Sequence, residues 1–138
     1  MKSRIPVFLD SDVIISSLVS PTGAAKILMH QASVIRFTSD LAIIEQSNVV
    51  EKLGIDPQEY ENLKKLFFVT PVAKDDVKKF ARAVVTPLDA HIVAGTVASR
   101  VKFFVTYRAK DYRAEVIHKS WDIIVITPGS LLQYLRSR

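Results

Sequence analysis

The 138-residue chain has no cysteine, which excludes disulfides and thiolate-bound metal. Histidine is sparse, with three residues, so any metal site has to be built mainly from oxygen. Apolar residues come in short runs, never in the stretch of about 20 that a membrane span requires. Internal repeats, low-complexity tracts and linkers are also missing. No signal-peptide pattern precedes the strand-like run that begins at Ile5, and a cytoplasmic location is the expectation.

What is present suits one ordinary domain, residues 1–138. Apolar residues make up 49% of the chain, including seven Phe, four Tyr and one Trp, enough for a sizeable core. The net charge of +5 fits a polyanionic partner, because each cation that neutralises a phosphate releases condensed counterions. Solubility explains the same excess. The C-terminal third is clearly basic, with Arg100, Lys102, Arg108, Lys110, Arg113, Lys119, Arg136 and Arg138.

Five β-rich runs stand out: Ile5–Leu9, Val34–Thr38, Leu66–Val72, Lys102–Thr106 and Asp122–Thr127. Most are continuously apolar, as expected for parallel strands covered on both faces. Between them lie helical patterns at Val13–Leu18, Gly23–Gln31, Asp40–Leu53, Gln58–Lys65, Lys74–Ala83, Leu88–Arg100 and Gly129–Arg136. Ser39 is the expected N-cap of the third, Gly54 its stop, and Asp56-Pro57 opens the fourth. Such alternation predicts an α/β fold: a mostly parallel five-stranded sheet between helices, in three α/β/α layers.

In open parallel sheets, ligands bind at the carboxyl ends of the strands. Asp10 ends the first run, where it is either a ligand or a helix cap, a job that Ser11 and Asp12 can also do. Glu45 falls between Leu41 and Val49 on an apolar stripe, so its carboxylate either finds a partner or reaches water at the rim. Asp89 follows Thr86, the expected N-cap, and Pro87, where the helix dipole alone favours an acid. It also projects toward Ile92, Val93 and Thr96, on a helix whose small residues permit close packing. Asp111 lies in the basic loop after the fourth run. If these four acids converge, their mutual repulsion calls for a cation, and an all-oxygen set suits Mg²⁺ or Mn²⁺ better than Zn²⁺. His91 falls roughly opposite the inward helix face, where a surface or interface role is expected.

Four segments together resemble the PIN-domain family. Val7-Phe8-Leu9-Asp10-Ser11-Asp12-Val13-Ile14-Ile15-Ser16 resembles its LDTNVLIS opening, and Thr38-Ser39-Asp40 through Glu45 its S…E helix. Leu88-Asp89-Ala90-His91-Ile92-Val93-Ala94 resembles its DAxILA helix, and Val105-Thr106-Tyr107-Arg108-Ala109-Lys110-Asp111-Tyr112 its VTxNxxDF loop. The segments occur in family order over essentially the whole chain. The resemblance implies a metal-dependent endoribonuclease with Asp10, Glu45, Asp89 and Asp111 as catalytic acids. Asp10, Asp89 and Asp111 would hold Mg²⁺ or Mn²⁺, with Ser11 and Thr106 in support. Arg108, Lys110 and Arg113 are the candidates for RNA contact. Small prokaryotic relatives are mostly VapC-like toxins of toxin–antitoxin pairs, so a homodimer and a small antitoxin partner are implied as well.

Two positions depart from the pattern: Ser11-Asp12 stands for Thr-Asn, and Arg108 for an Asn or Asp. A cation at position 108 either repels metal or binds an RNA phosphate. The alternative function is therefore a weak or inactive PIN domain that binds RNA or a partner protein. Asp10-Ser11-Asp12 also resembles the DxD loop of haloacid-dehalogenase phosphatases, but the late acidic pair of that family is missing. A signalling receiver would need a Lys after the fifth run, where Thr127-Pro128 stands.

Overall fold

The structure, a computed structural model, describes residues 3–138. Strands β1 (Ile5–Leu9), β2 (Val34–Ser39), β3 (Phe67–Thr70), β4 (Phe103–Val105) and β5 (Ile124–Ile126) form one sheet in the order β3-β2-β1-β4-β5. Every neighbouring pair is parallel. The chain winds outward from β1 to β3, then crosses back to place β4 on the other side of β1. That reversal leaves a crevice at the carboxyl ends of β1 and β4.

Side-chain alternation divides the core into two layers. Val7 and Leu9 of β1, with Phe103 and Val105 of β4, face α1 (Ser11–Val19), α2 (Ala24–Met29), α4 (Pro57–Lys64) and α7 (Pro128–Ser137). Phe8 and Phe104, one residue out of step, face α5 (Ala90–Ala98) and α6 (Ala114–Trp121). Helix α3 (Asp40–Lys52) contributes Val50 to the first layer and Ala42 to the second. The result is the expected three-layer α/β/α sandwich. Among the described residues, no helix is long and apolar enough to cross a membrane.

Local signals account for most boundaries. Ser39 caps α3 by accepting from the Ala42 amide at 3.1 Å. Gly54, at φ +66°, takes the left-handed position after it. Ile55 N then donates to Val50 O and Gly54 N to Glu51 O, the paired bonds of a Schellman stop.

Three expected elements differ. Lys74–Ala83 winds as a 3₁₀ helix; its apolar Val77, Phe80 and Ala83 recur every three residues and so fall on one face of a three-residue turn. Helix α5 starts at Ala90 instead of Leu88, after a separate 3₁₀ turn at Pro87–Asp89. Thr86 makes no side-chain capping bond there. Asp122 is not in a strand: it adopts φ 57° as the left-handed cap of α6, a conformation that Asp tolerates better than most residues.

Within α5, Gly95 lets helix and sheet meet closely. A Cβ there would lie 2.9 Å from Ser39 Cβ and 3.1 Å from the Phe8 ring.

Candidate functional site

The β1–β4 and β4–β5 pairings each continue one residue beyond the strand ends. Asp10 N donates to Val105 O at 2.9 Å, and Thr106 N donates to Ile126 O at 3.0 Å. Asp10 and Thr106 thereby stand side by side at the crevice, both with 0% exposure. A charge there has to be met by donors. The Ser11 amide donates to Asp10 Oδ1 at 2.8 Å. Thr106 Oγ1 at 2.8 Å and Tyr112 Oη at 3.0 Å donate to Oδ2. Burial pushes the Asp10 carboxyl above its ordinary value, opposed by Arg108 and by the Thr106 and Tyr112 hydroxyls.

Arg108 occupies the middle of the acidic cluster. Its Nη2 lies 3.2 Å from Asp10 Oδ2 and 3.3 Å from Asp89 Oδ1. Its Nη1 lies 3.3 Å from Asp111 Oδ2, and its Nε 3.8 Å from Asp12 Oδ2. Three further contacts hold the loop in place: Arg108 N donates to Thr106 Oγ1 at 2.9 Å, Tyr107 N to Asp12 Oδ2 at 3.1 Å, and Val85 N to Asp111 O at 3.0 Å. Although its own burial acts against it, the charge on Arg108 is reinforced by Asp10 and Asp89, which raise its pKa. Asp12 is pushed up to about 7 by burial and by the neighbouring Asp10.

Of the four expected acids, Asp10, Asp89 and Asp111 meet around one positive charge. Asp89 makes no side-chain capping bond at the start of α5, so helix capping does not account for it. Glu45 stands apart from the contacts around Arg108. The inward stripe of α3 is Ala42, Gln46 and Val50, which leaves Glu45 on the flank. Its Oε2 pairs with His91 Nε2 at 3.4 Å, and His91 is the first cause of its lowered pKa, ahead of the opposing effect of burial. Glu45 still lines a groove with Ser11, Asp12, Ile15, Val49 and Arg108, so it stands at the rim of the cluster.

His91 is a correction, because it reaches back to α3 instead of the surface; only 18% of its side chain is exposed. Arg108 is turned toward carboxylates, whereas Lys110 and Arg113 beside it are exposed. Ser11 supports Asp10 through its amide, and its hydroxyl accepts from Gln46 Nε2 at 3.4 Å. Gln46 also donates to Thr38 Oγ1 at 3.1 Å and accepts from Tyr60 Oη at 2.7 Å. The sequence reading missed Asp12, Tyr112 and Gln46. Asp12 was visible two residues after Asp10. The other two join the site through contacts far apart in the chain, which no local pattern announces.

The donors fit Mg²⁺ or Mn²⁺ in kind: all are oxygens, and Mg²⁺ is commonly held by one or two carboxylates with waters completing the shell. Their spacing is that of a guanidinium, with oxygens 3.2–3.8 Å from nitrogen instead of the roughly 2.1 Å of a Mg–O bond. Accordingly, among the described residues no three acidic or histidine side chains stand close enough to hold a metal ion as they are.

No protein-family model and no curated protein matches the chain.

Proposed function

We propose that this chain is a PIN-like, metal-dependent endoribonuclease that hydrolyses RNA phosphodiester bonds at the crevice between β1 and β4. The observation that carries the reading is that Asp10, Asp89 and Asp111, from three separate segments, surround a single cation position at the topological switch point. The ordered motif resemblance supports it. Asp10 and Asp89 would hold Mg²⁺ or Mn²⁺, with Asp111 beside them. Such an ion lowers the pKa of a bound water and stabilises charge on the scissile phosphate.

The chain's own residues supply the rest. Thr106 and Tyr112 orient the Asp10 carboxylate through Oδ2, and the Ser11 amide fixes Oδ1. Glu45, held ionised by His91 through Oε2, lines the groove beside the cluster, where its carboxylate would orient the attacking water. Lys110 and Arg113 are free to meet the RNA backbone. A toxin role with a small antitoxin and a homodimeric assembly follows from the resemblance alone.

Arg108 favours a second reading, a PIN fold that binds RNA or a protein without cutting, because its guanidinium already neutralises the acids. The deciding experiment is cleavage of single-stranded and structured RNA with Mg²⁺ or Mn²⁺, by wild type, Asp10→Asn and Asp89→Asn, with folding checked by circular dichroism. Metal-dependent cutting lost in both folded variants upholds the nuclease reading. Cutting unaffected by either substitution removes the site assignment, and no cutting across a broad RNA panel moves the conclusion to the binding domain.

A further inference from the structure

Resting on the nuclease reading, we propose that Arg108 is a built-in cation that competes with the metal and is drawn out by an RNA phosphate, so that metal and RNA load together. Three observations carry this. The first is position: Nη2 touches Asp10 and Asp89 together, the two carboxylates that would hold the ion. A dication at those oxygens and a guanidinium against them would repel at contact distance, so one excludes the other.

The second is how loosely the guanidinium is held. Its contacts to the acids run from 3.2 to 3.8 Å, longer than the roughly 2.7–2.9 Å of a good charge-assisted bond. Nε is buried without a hydrogen-bond partner, and no carboxylate receives the two-pronged contact that guanidinium geometry favours. Nη2 also reaches Asp10 Oδ1 at 3.5 Å and Tyr112 Oη at 3.2 Å, so a single cation is spread over four acids and a phenol.

The third is a way out. The Arg108 side chain is 37% exposed and lines the groove beside Glu45 and Val49, with exposed Lys110 and Arg113 close by in the chain. A phosphodiester arriving on that basic loop offers the short bidentate partner the carboxylates do not. Withdrawal of the guanidinium then leaves Asp10 and Asp89 for the dication. Affinities linked in this way are reciprocal: RNA tightens metal binding and metal tightens RNA binding by the same factor.

The test is Mn²⁺ binding, followed by loss of the free-ion electron paramagnetic resonance signal. It uses wild type, Arg108→Asn and Arg108→Lys, each with and without a short single-stranded DNA oligonucleotide as the phosphate probe. Arg108→Lys keeps a positive charge should the Asn variant fail to fold, and its single ammonium cannot span Asp10, Asp89 and Asp111 together. The expected result is that Arg108→Asn binds Mn²⁺ about tenfold tighter or more, which corresponds to about 1.4 kcal/mol of competition removed. Arg108→Lys should fall between the two. The oligonucleotide should tighten Mn²⁺ binding to wild type and leave Arg108→Asn unchanged. Equal Mn²⁺ affinities in wild type and variants overturn the competition while leaving the metal reading intact. Tighter variants without an oligonucleotide effect on wild type overturn the phosphate-driven release. No Mn²⁺ binding by any form, with or without oligonucleotide, overturns the metal reading and this inference with it.

Discussion

Replacing Arg108 with Met keeps most of the apolar stem and removes the charge from the middle of the acidic cluster. Asp10, with 0% exposure, would then face Asp12, Asp89 and Asp111 without a compensating cation. Removing one partner of a fully buried pair commonly costs about 3–5 kcal/mol. Here the cost should be smaller. The guanidinium is 37% exposed and its contacts are long, so solvent already screens part of the attraction. Asp10 also keeps the Ser11 amide and the Thr106 and Tyr112 hydroxyls. About 2 kcal/mol near pH 8, without metal, is the expected loss.

The pH dependence of that loss separates electrostatics from simple packing. Burial already raises Asp10, and removing Arg108 raises it further above its unfolded value. A carboxyl raised in the folded state stabilises at low pH and loses that contribution as pH rises through the folded pKa. The variant's deficit should therefore be smaller at about pH 5 than at about pH 8, because a falling pH favours the protonated form of the raised Asp10 carboxyl. Urea denaturation in EDTA at both values measures it. Saturating Mn²⁺, at about 100 times its Kd, should return about 2.7 kcal/mol to the variant. A variant as stable as wild type at the higher pH, or one whose deficit is larger at the lower pH, would refute the assignment of Arg108 as counter-charge to Asp10.

Tyr112→Phe removes the hydroxyl that reaches Asp10 Oδ2 at 3.0 Å but keeps the ring edge-on to Phe104; urea unfolding should show a loss of about 1–2 kcal/mol, and an unchanged midpoint would mean that water replaces the phenol. In Gly95→Ala the new Cβ would meet Ser39 Cβ at 2.9 Å, an overpacking cost of about 1–3 kcal/mol only partly offset by helix propensity; thermal unfolding at or above the wild-type midpoint would show that α5 can lift off the sheet freely. Asp12 is raised from 3.8 to about 7, so its contribution to stability declines as pH rises through that window. Asp12→Asn should remove this decline, so that its stability relative to wild type improves from about pH 4 to about pH 8, and parallel pH profiles in urea titrations would count against the raised carboxyl.

The sheet was legible because its strands are almost continuously apolar, and the helices because stop and cap residues bracket them. Gly54 and Ser39 act where a backbone rule says they must. Legibility failed where two encodings were locally equivalent. Lys74–Ala83 carries apolar residues at a spacing of three that serves an α- or a 3₁₀-helix, and packing chose the tighter one. Asp89 satisfied both a dipole argument and a site argument, and only its contact with Arg108 separates them. The sequence leaves Glu45 between a partner and the water at the rim, and its partner, His91, lies on a different helix at a position that reads as surface or interface. For Tyr112, nothing near it in the chain says that its hydroxyl meets Asp10, 102 positions away. Carboxylate positions follow from strand ends; the hydrogen-bond partners that tune them come from tertiary closure.

Stability alone gives no reason for Asp10 to stand fully buried at the carboxyl end of the central strand. An ion pair in such a place is commonly no better, and often worse, than well-packed apolar side chains of similar volume. The cost here is visible in particular atoms: Asp12 Oδ1 and Arg108 Nε are buried without partners, and Asp12 is raised by its own neighbour. Were the cluster only structural, one carboxylate matched bidentately to Arg108 would satisfy the guanidinium at less expense. Four carboxylates instead share one guanidinium at 3.2–3.8 Å. Departures from internal satisfaction of this kind concentrate where a protein does chemistry or binds a ligand. That sharing argues for a site in which one cation can give way to another, and the exposed outer edge of Arg108 marks the side from which the exchange would proceed.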